Sequence, residues 1–144
     1  MSDSTLHGGC LCGAVSFEVD PPFQRMIHCH CSRCRKGTGT GHATNMTAEP
    51  GRFRWLSGEE MISRYDLPET KNFSKWFCRE CGSPLPRLAR NGLMMIIPAG
   101  SLDSVPPVSP SDHIFWGSRA PWGCASGGLP THEDVPEAWK AALR

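Results

Sequence analysis

Seven of the eight cysteines in this chain fall into three tight groups: Cys10 and Cys12 in "GGCLCG", Cys29, Cys31 and Cys34 in "IHCHCSRCRKGTG", and Cys78 and Cys81 in "FCRECG". Cysteines one residue apart make poor disulfides with each other, because extended backbone at that spacing puts their Cα atoms near or beyond the ~7 Å limit and strains the bridge. In a reducing compartment the same crowding is what metal sites use. Metal binding therefore stands well ahead of a disulfide framework.

Zinc fixes how seven thiolates divide. It is tetrahedral; structural sites close all four positions with Cys or His, and catalytic sites keep one position for water or substrate. Cys10, Cys12, Cys78 and Cys81 make a full set of four, and "FCRECG", with glycine directly after its second cysteine, has the form of a zinc knuckle whose turn aims backbone amides at sulfur. Such a site staples the N-terminal strand to a much later one, which suits a small domain rich in loops. Cys29, Cys31 and Cys34 remain as a set of three. Spacing alone leaves two readings of equal weight: an open fourth position, or a second structural site closed by His42, His113 or Cys124. His28 and His30 alternate with Cys29 and Cys31, so on a strand they point to the other face. Cys124, in "WGCASGG", has no close partner and reads as a free thiol, since nothing beside it lowers its pKa.

Glycine (15) and proline (13) make up about a fifth of the 144 residues, well above the ordinary share of about 12%. A chain of this length fits one domain, residues 1–144, that turns often. "GAVSFEVD" alternates apolar Val15, Phe17 and Val19 with polar residues, as a half-buried strand does, and stops at Pro21 and Pro22. "QRMIHC" predicts a second strand that delivers Cys29 to its end, and "SRCRKGTGTG" a short helical turn running into a glycine-rich loop. Further strands are expected at "HATNMT", "RFRWL", "MISRYDL", "SKWFC", "LMMIIPAG" and "HIFWGS", so the fold class is mainly β with antiparallel pairing. Residues 103–112, "DSVPPVSPSD", read as a crossing loop, and "VPEAWKAALR" as a short C-terminal helix with Val135, Trp139 and Leu143 one turn apart.

A formal net charge of +1 with scattered Lys and Arg offers no stripe to track a phosphate backbone, so nucleic acid is not an expected partner. No window approaches the ~18 to 20 apolar residues of a membrane span, and "MSDSTLHGGC" lacks the basic and apolar regions of a signal peptide. A soluble, cytoplasmic protein is the expectation. Arg33, Arg35 and Lys36 flank the three-cysteine group, where a solvated turn is the simpler reading.

"GGCLCGAVSF", "CHCSRCRKGTG", "FCRECGSPL", "AGSLD" and "HIFWGSRAPW", in this order over residues 8–122, resemble the glutathione-dependent formaldehyde-activating enzyme family, which includes centromere-protein-V-like proteins. The resemblance implies an Mss4-like β-tent of antiparallel sheets with two zinc sites. It makes Cys10, Cys12, Cys78 and Cys81 the structural ligands and Cys29, Cys31 and Cys34 the catalytic ones, with the fourth position open, which brings the open reading to the front. It also implies a carbon–sulfur lyase that joins a glutathione-like thiol to a formaldehyde-like aldehyde. The site chemistry agrees, because a thiol entering an open zinc position loses its proton near neutral pH and is poised to attack a carbonyl carbon. Arg119, in "SRAPW", suits a substrate carboxylate through two parallel hydrogen bonds; His113 and Trp122 are pocket candidates, with a core role at least as good for Trp122. A non-catalytic zinc module that binds a thiol or a protein ranks second. A methionine sulfoxide reductase ranks third, for want of a nucleophile motif.

Overall fold

The computed structural model describes residues 4–123 and 127–142. Among them, strands form three sheets. The first contains β1 (Leu6–Gly9), β2 (Ser16–Val19) and β5 (Phe53–Ser57) in the order β1-β2-β5, antiparallel throughout. The alternation in "SFEV" sets its two faces: Phe17 and Val19 are fully buried, while Glu18 turns outward, where Arg54 of β5 bridges it to Asp20.

The second sheet holds β3 (Arg25–Cys29), β4 (Ala43–Ala48), β8 (Arg87–Leu88), β9 (Met95–Pro98) and β10 (Pro110–Ile114), in the order β10-β3-β4-β9-β8. Register places Met26 opposite Met46 and Met46 opposite Ile97, so one face is an apolar row. These side chains pack with Leu6, Phe17 and Val19 of the first sheet to form the main core. Phe17 anchors it, with its ring 5.3 Å from that of Phe53 and 6.1 Å from that of Trp55. A hairpin of β6 (Ile62–Asp66) and β7 (Ser74–Cys78) forms the third sheet. A second, smaller core of Val15, Cys78 and Leu85 ties it to the rest, with Cys10, Trp55, Met61, Ile62 and Cys81 packed around it.

Most expected strands stand within a residue or two of their predicted bounds, and "SRCRKGT" forms α1 (Ser32–Thr38), which Gly39 ends in the left-handed conformation. Four features differ. β10 pairs with β3 in parallel, so the sheets are not all antiparallel. That strand begins inside the proline-rich stretch and ends at Ile114, because Phe115 takes a positive φ of 55° and turns the chain into a 3-10 turn over Trp116–Ser118. β1 and β8 are too short to show a periodic pattern. The expected C-terminal helix is a single 3-10 turn at Glu137–Trp139, with residues 143–144 outside the described part. Its Trp139 is 59% exposed, and a segment this short needs tertiary packing to hold an α-helix.

Candidate metal centres

The sulfurs of Cys10, Cys12, Cys78 and Cys81 gather within 4.8 Å of one another, a group that can hold a metal ion. Two turns build it, each ending on a glycine in the left-handed region: Gly13 at φ 82° after Cys12, and Gly82 at φ 75° after Cys81. A side chain with a Cβ is strained there, and glycine is not. The turns close through Gly13 N–H to Cys10 O (3.1 Å) and Gly82 N–H to Cys78 O (2.7 Å). The Val15 amide donates to Cys10 Sγ at 3.3 Å, and the Ser83 hydroxyl lies 3.1 Å from Cys81 Sγ. That hydroxyl, with the amides of Ser83 and Cys12, draws the Cys81 thiol down to about 5. Leu11 N–H donates back to Ser83 Oγ at 2.9 Å, locking the two turns to each other.

Cys29, Cys31 and Cys34 form the second group, again within 4.8 Å. β3 ends at Cys29, Cys31 precedes α1, and Cys34 follows one turn into it, its amide donating to Cys31 Sγ at 3.3 Å. Among the described residues no histidine, cysteine or carboxylate joins as a fourth member, so His42 and His113 do not close the site. Cys124, the other candidate, lies outside the described residues. Burial opposes ionisation here and pushes the Cys29 thiol up. For Cys34, burial and then the neighbouring Cys29 and Cys31 push the thiol up further. Burial also works against the Cys31 thiolate, yet the Cys34 amide and adjacent thiols bring that thiol below its ordinary value. As thiolates the three can hold a cation among them, and an all-sulfur donor set suits zinc.

The expectation that His28 and His30 turn away from the thiols holds. His28 shares the apolar face of β3 with Met26, and its Nδ1 lies 2.7 Å from Thr44 Oγ1 on β4. His30 is fully buried, with Nε2 2.8 Å from His113 Nδ1. His42 completes this cluster, its ring 4.3 Å from His28 and 4.9 Å from His30.

Parallel pairing decides what stands beside the three thiols. Ile114 faces Cys29 across β10 and β3, so both chains leave the sheet at the same end. Residues 115–119 thus emerge next to residues 30–34. Arg119 lies over the Trp116 ring at 4.4 Å and donates to Trp116 O at 2.9 Å, while Trp116 meets the His30 ring edge-on at 5.1 Å. Structure therefore brings His113 and Arg119 together. Trp122 is 67% exposed, which argues against a core role. Arg33 and Lys36 are exposed, as a solvated turn predicts; Arg35 is half-buried.

On the other side of Cys34 lies a cavity of about 100 Å³ that the sequence did not announce. Lys75, Trp76 and Arg87 line it, with Phe73, Leu85 and Ile96 as apolar wall. These residues come from β7, β8, β9 and adjoining loops, far along the chain from Cys34. In "SKWFC" and "LPRLAR" they read only as ordinary strand and loop positions.

Fold and site together define a mainly β protein with two thiol clusters that can each hold a metal ion, one complete in four ligands and one with three. Residues 5–118 match the family described as glutathione-dependent formaldehyde-activating enzyme, and the chain belongs to that family. A Halomonas elongata protein provisionally named glutathione-dependent formaldehyde-activating enzyme is 31% identical over 124 residues, which cover 81% of this chain and 78% of that protein. A Rhodobacter sphaeroides protein of known crystal structure is similar with a TM-score of 0.60 and 28% identity, over 74% of this chain and 98% of that one.

Proposed function

We propose that this protein is a zinc-dependent carbon–sulfur lyase, which forms or cleaves the bond between a small glutathione-like thiol and a formaldehyde-like aldehyde. The observation that carries this reading is the unequal pair of clusters: four thiols that complete one another, and three that do so without a fourth ligand among the described residues. Cys10, Cys12, Cys78 and Cys81 hold a structural ion, Cys29, Cys31 and Cys34 a catalytic one, on an Mss4-like tent. When bound at three ligands, zinc supplies a cation that favours the thiolate form of a thiol at its open position near neutral pH.

The chain's own residues do the rest. Cys29, Cys31 and Cys34 present a fixed triangle of sulfurs at the end of β3, which sets where a substrate sulfur must enter. Arg119, held over Trp116, faces that end of the sheet and suits a carboxylate remote from the reacting sulfur. His113, tied to His30, and Trp122 with its exposed ring complete the substrate side. In the forming direction the thiol sulfur bonds to the carbonyl carbon, the C=O π bond opens, and the thiol proton ends on the carbonyl oxygen as a hydroxymethyl thioether. The described cysteines are free thiols, which suits the reducing cytoplasm.

Exchange NMR with glutathione and formaldehyde at catalytic protein levels tests the reading. Accelerated exchange between free thiol and hydroxymethyl adduct, lost on chelation, is expected. No acceleration over the spontaneous reaction, with two zinc ions bound, would leave a module that binds thiols without turnover.

A further inference from the structure

Three arginines, Arg52, Arg54 and Arg64, are paired with carboxylates: Arg52 with Glu49, Arg54 with Glu18 and Asp20, Arg64 with Asp66. Lys75 and Arg87, two half-buried cations in the cavity beside Cys34, take part in no ion pair among the described residues. Among the described residues no Asp or Glu lines that cavity. Taking a cation out of water without an opposite charge is unfavourable, so a pair of them in one partly apolar hollow calls for an anion.

Their hydrogen bonding is also incomplete. Lys75 Nζ donates to Gly37 O at 2.5 Å, one of the three bonds an ammonium can give. Arg87 reaches Ser74 Oγ at a long 3.4 Å and otherwise lies 5.6 Å from the Phe73 ring, leaving most of its five N–H groups without a protein partner among the described residues. Trp76 also lines the cavity and has a buried indole N–H with no partner among the described residues. Gly37 gives the lysine room: a Cβ there would come 3.1 Å from Lys75 Cδ, so the lysine stem crosses α1 at its one bare position, a turn beyond Cys34. Burial and the Arg87 charge weaken the Lys75 ammonium, whereas Cys34 favours it, so the cations and the thiol sense one another.

We propose that Lys75 and Arg87, with the Trp76 indole N–H, form a carboxylate site beside Cys34 that selects thiols bearing an acidic group a short distance from sulfur. The proposal rests on the metal-thiol reading above and deepens it. The rival role for these cations is to offset the negative charge of the thiolates alone, and that role makes no distinction between acidic and neutral thiols.

Titration calorimetry on the zinc-loaded full chain separates the two, using a short series of ω-mercaptocarboxylates and their methyl esters. At least one acid is expected to bind ~10-fold or more tightly than its ester, the range of a charge-assisted hydrogen bond. Lys75→Met should remove most of that preference and Lys75→Arg should keep it, both with zinc content unchanged; Arg87→Gln should act like Lys75→Met. Equal affinity of every acid and ester, or a Lys75→Met change that weakens both alike, overturns the carboxylate site and leaves the metal-thiol reading standing. Failure of every thiol to bind overturns both.

Discussion

Cys78 of the four-cysteine cluster is fully buried and packs with Val15 and Leu85. The three-cysteine cluster sits instead at the end of β3, against a helix of seven residues with no buried member and beside a cavity that holds two cations. The ligand is the same in both, but its surroundings differ. In the first, amides and the Ser83 hydroxyl turn toward Cys10 and Cys81 and lower those thiols, while Cys12 is pushed up to about 11; in the second, burial and mutual crowding raise Cys29 and Cys34, while Cys31 lies below its ordinary value. Under the proposed function the cluster anchored in the core by Cys78 acts as a staple, and the one at the sheet end, with three ligands among the described residues, takes the substrate atom.

The contrast can be broken most directly at Cys78. Cys78→Ala removes a ligand and opens a void in the second core, so we expect one metal ion lost and about 3–5 kcal/mol of stability, a large part of the ~5–15 kcal/mol typical of a domain. Urea unfolding with metal analysis reads both, and an unchanged midpoint would show that the cluster is no staple. Cys31→Ala should also lose one ion, yet shift the midpoint by no more than about 1 kcal/mol, because α1 buries nothing. Thiol binding should vanish with it. Global unfolding of that variant would erase the distinction between the clusters.

Acid should separate them more gently. Each cluster contains a raised thiol, Cys34 in the set of three and Cys12, pushed up to about 11, in the set of four, so ligand number decides the order: an ion held by three thiolates is lost to protons before one held by four. Metal release followed with a chromophoric chelator should therefore occur in two steps, the three-cysteine site first as pH falls, and Cys31→Ala should delete the earlier step. The smallest effect is expected at Ser83. Ser83→Ala removes the hydroxyl near Cys81 and the acceptor for the Leu11 amide, costing about 1 kcal/mol and moving the later release step to higher pH. An unmoved second step would mean that backbone amides alone hold the Cys81 thiolate.

Much of this contrast was legible in the chain. The spacings of seven cysteines, with glycine after Cys12 and Cys81, carry the four-plus-three grouping because a knuckle is a local structure whose turn and ligands lie within a few residues. Period-two patterning in "SFEV" and the span of "SKWFC" gave strands for the same local reason. The C-terminal segment misled, since its helical spacing had no surface to pack on. Nothing local marks Lys75 or Arg87 as neighbours of Cys34, and no periodic signal says that β10 will lie parallel to β3.

By itself, then, the sequence determined the thiol sets, the mainly β class and the turns that present sulfur, all products of short-range backbone geometry. Only the tertiary structure decided that residues 115–119 emerge beside residues 30–34, that four histidines gather on the opposite face of β3 from Cys29, and that two cations share a cavity with Cys34. Those neighbours meet through sheet order and strand direction, which are set by how the two cores pack and not by any one stretch of chain.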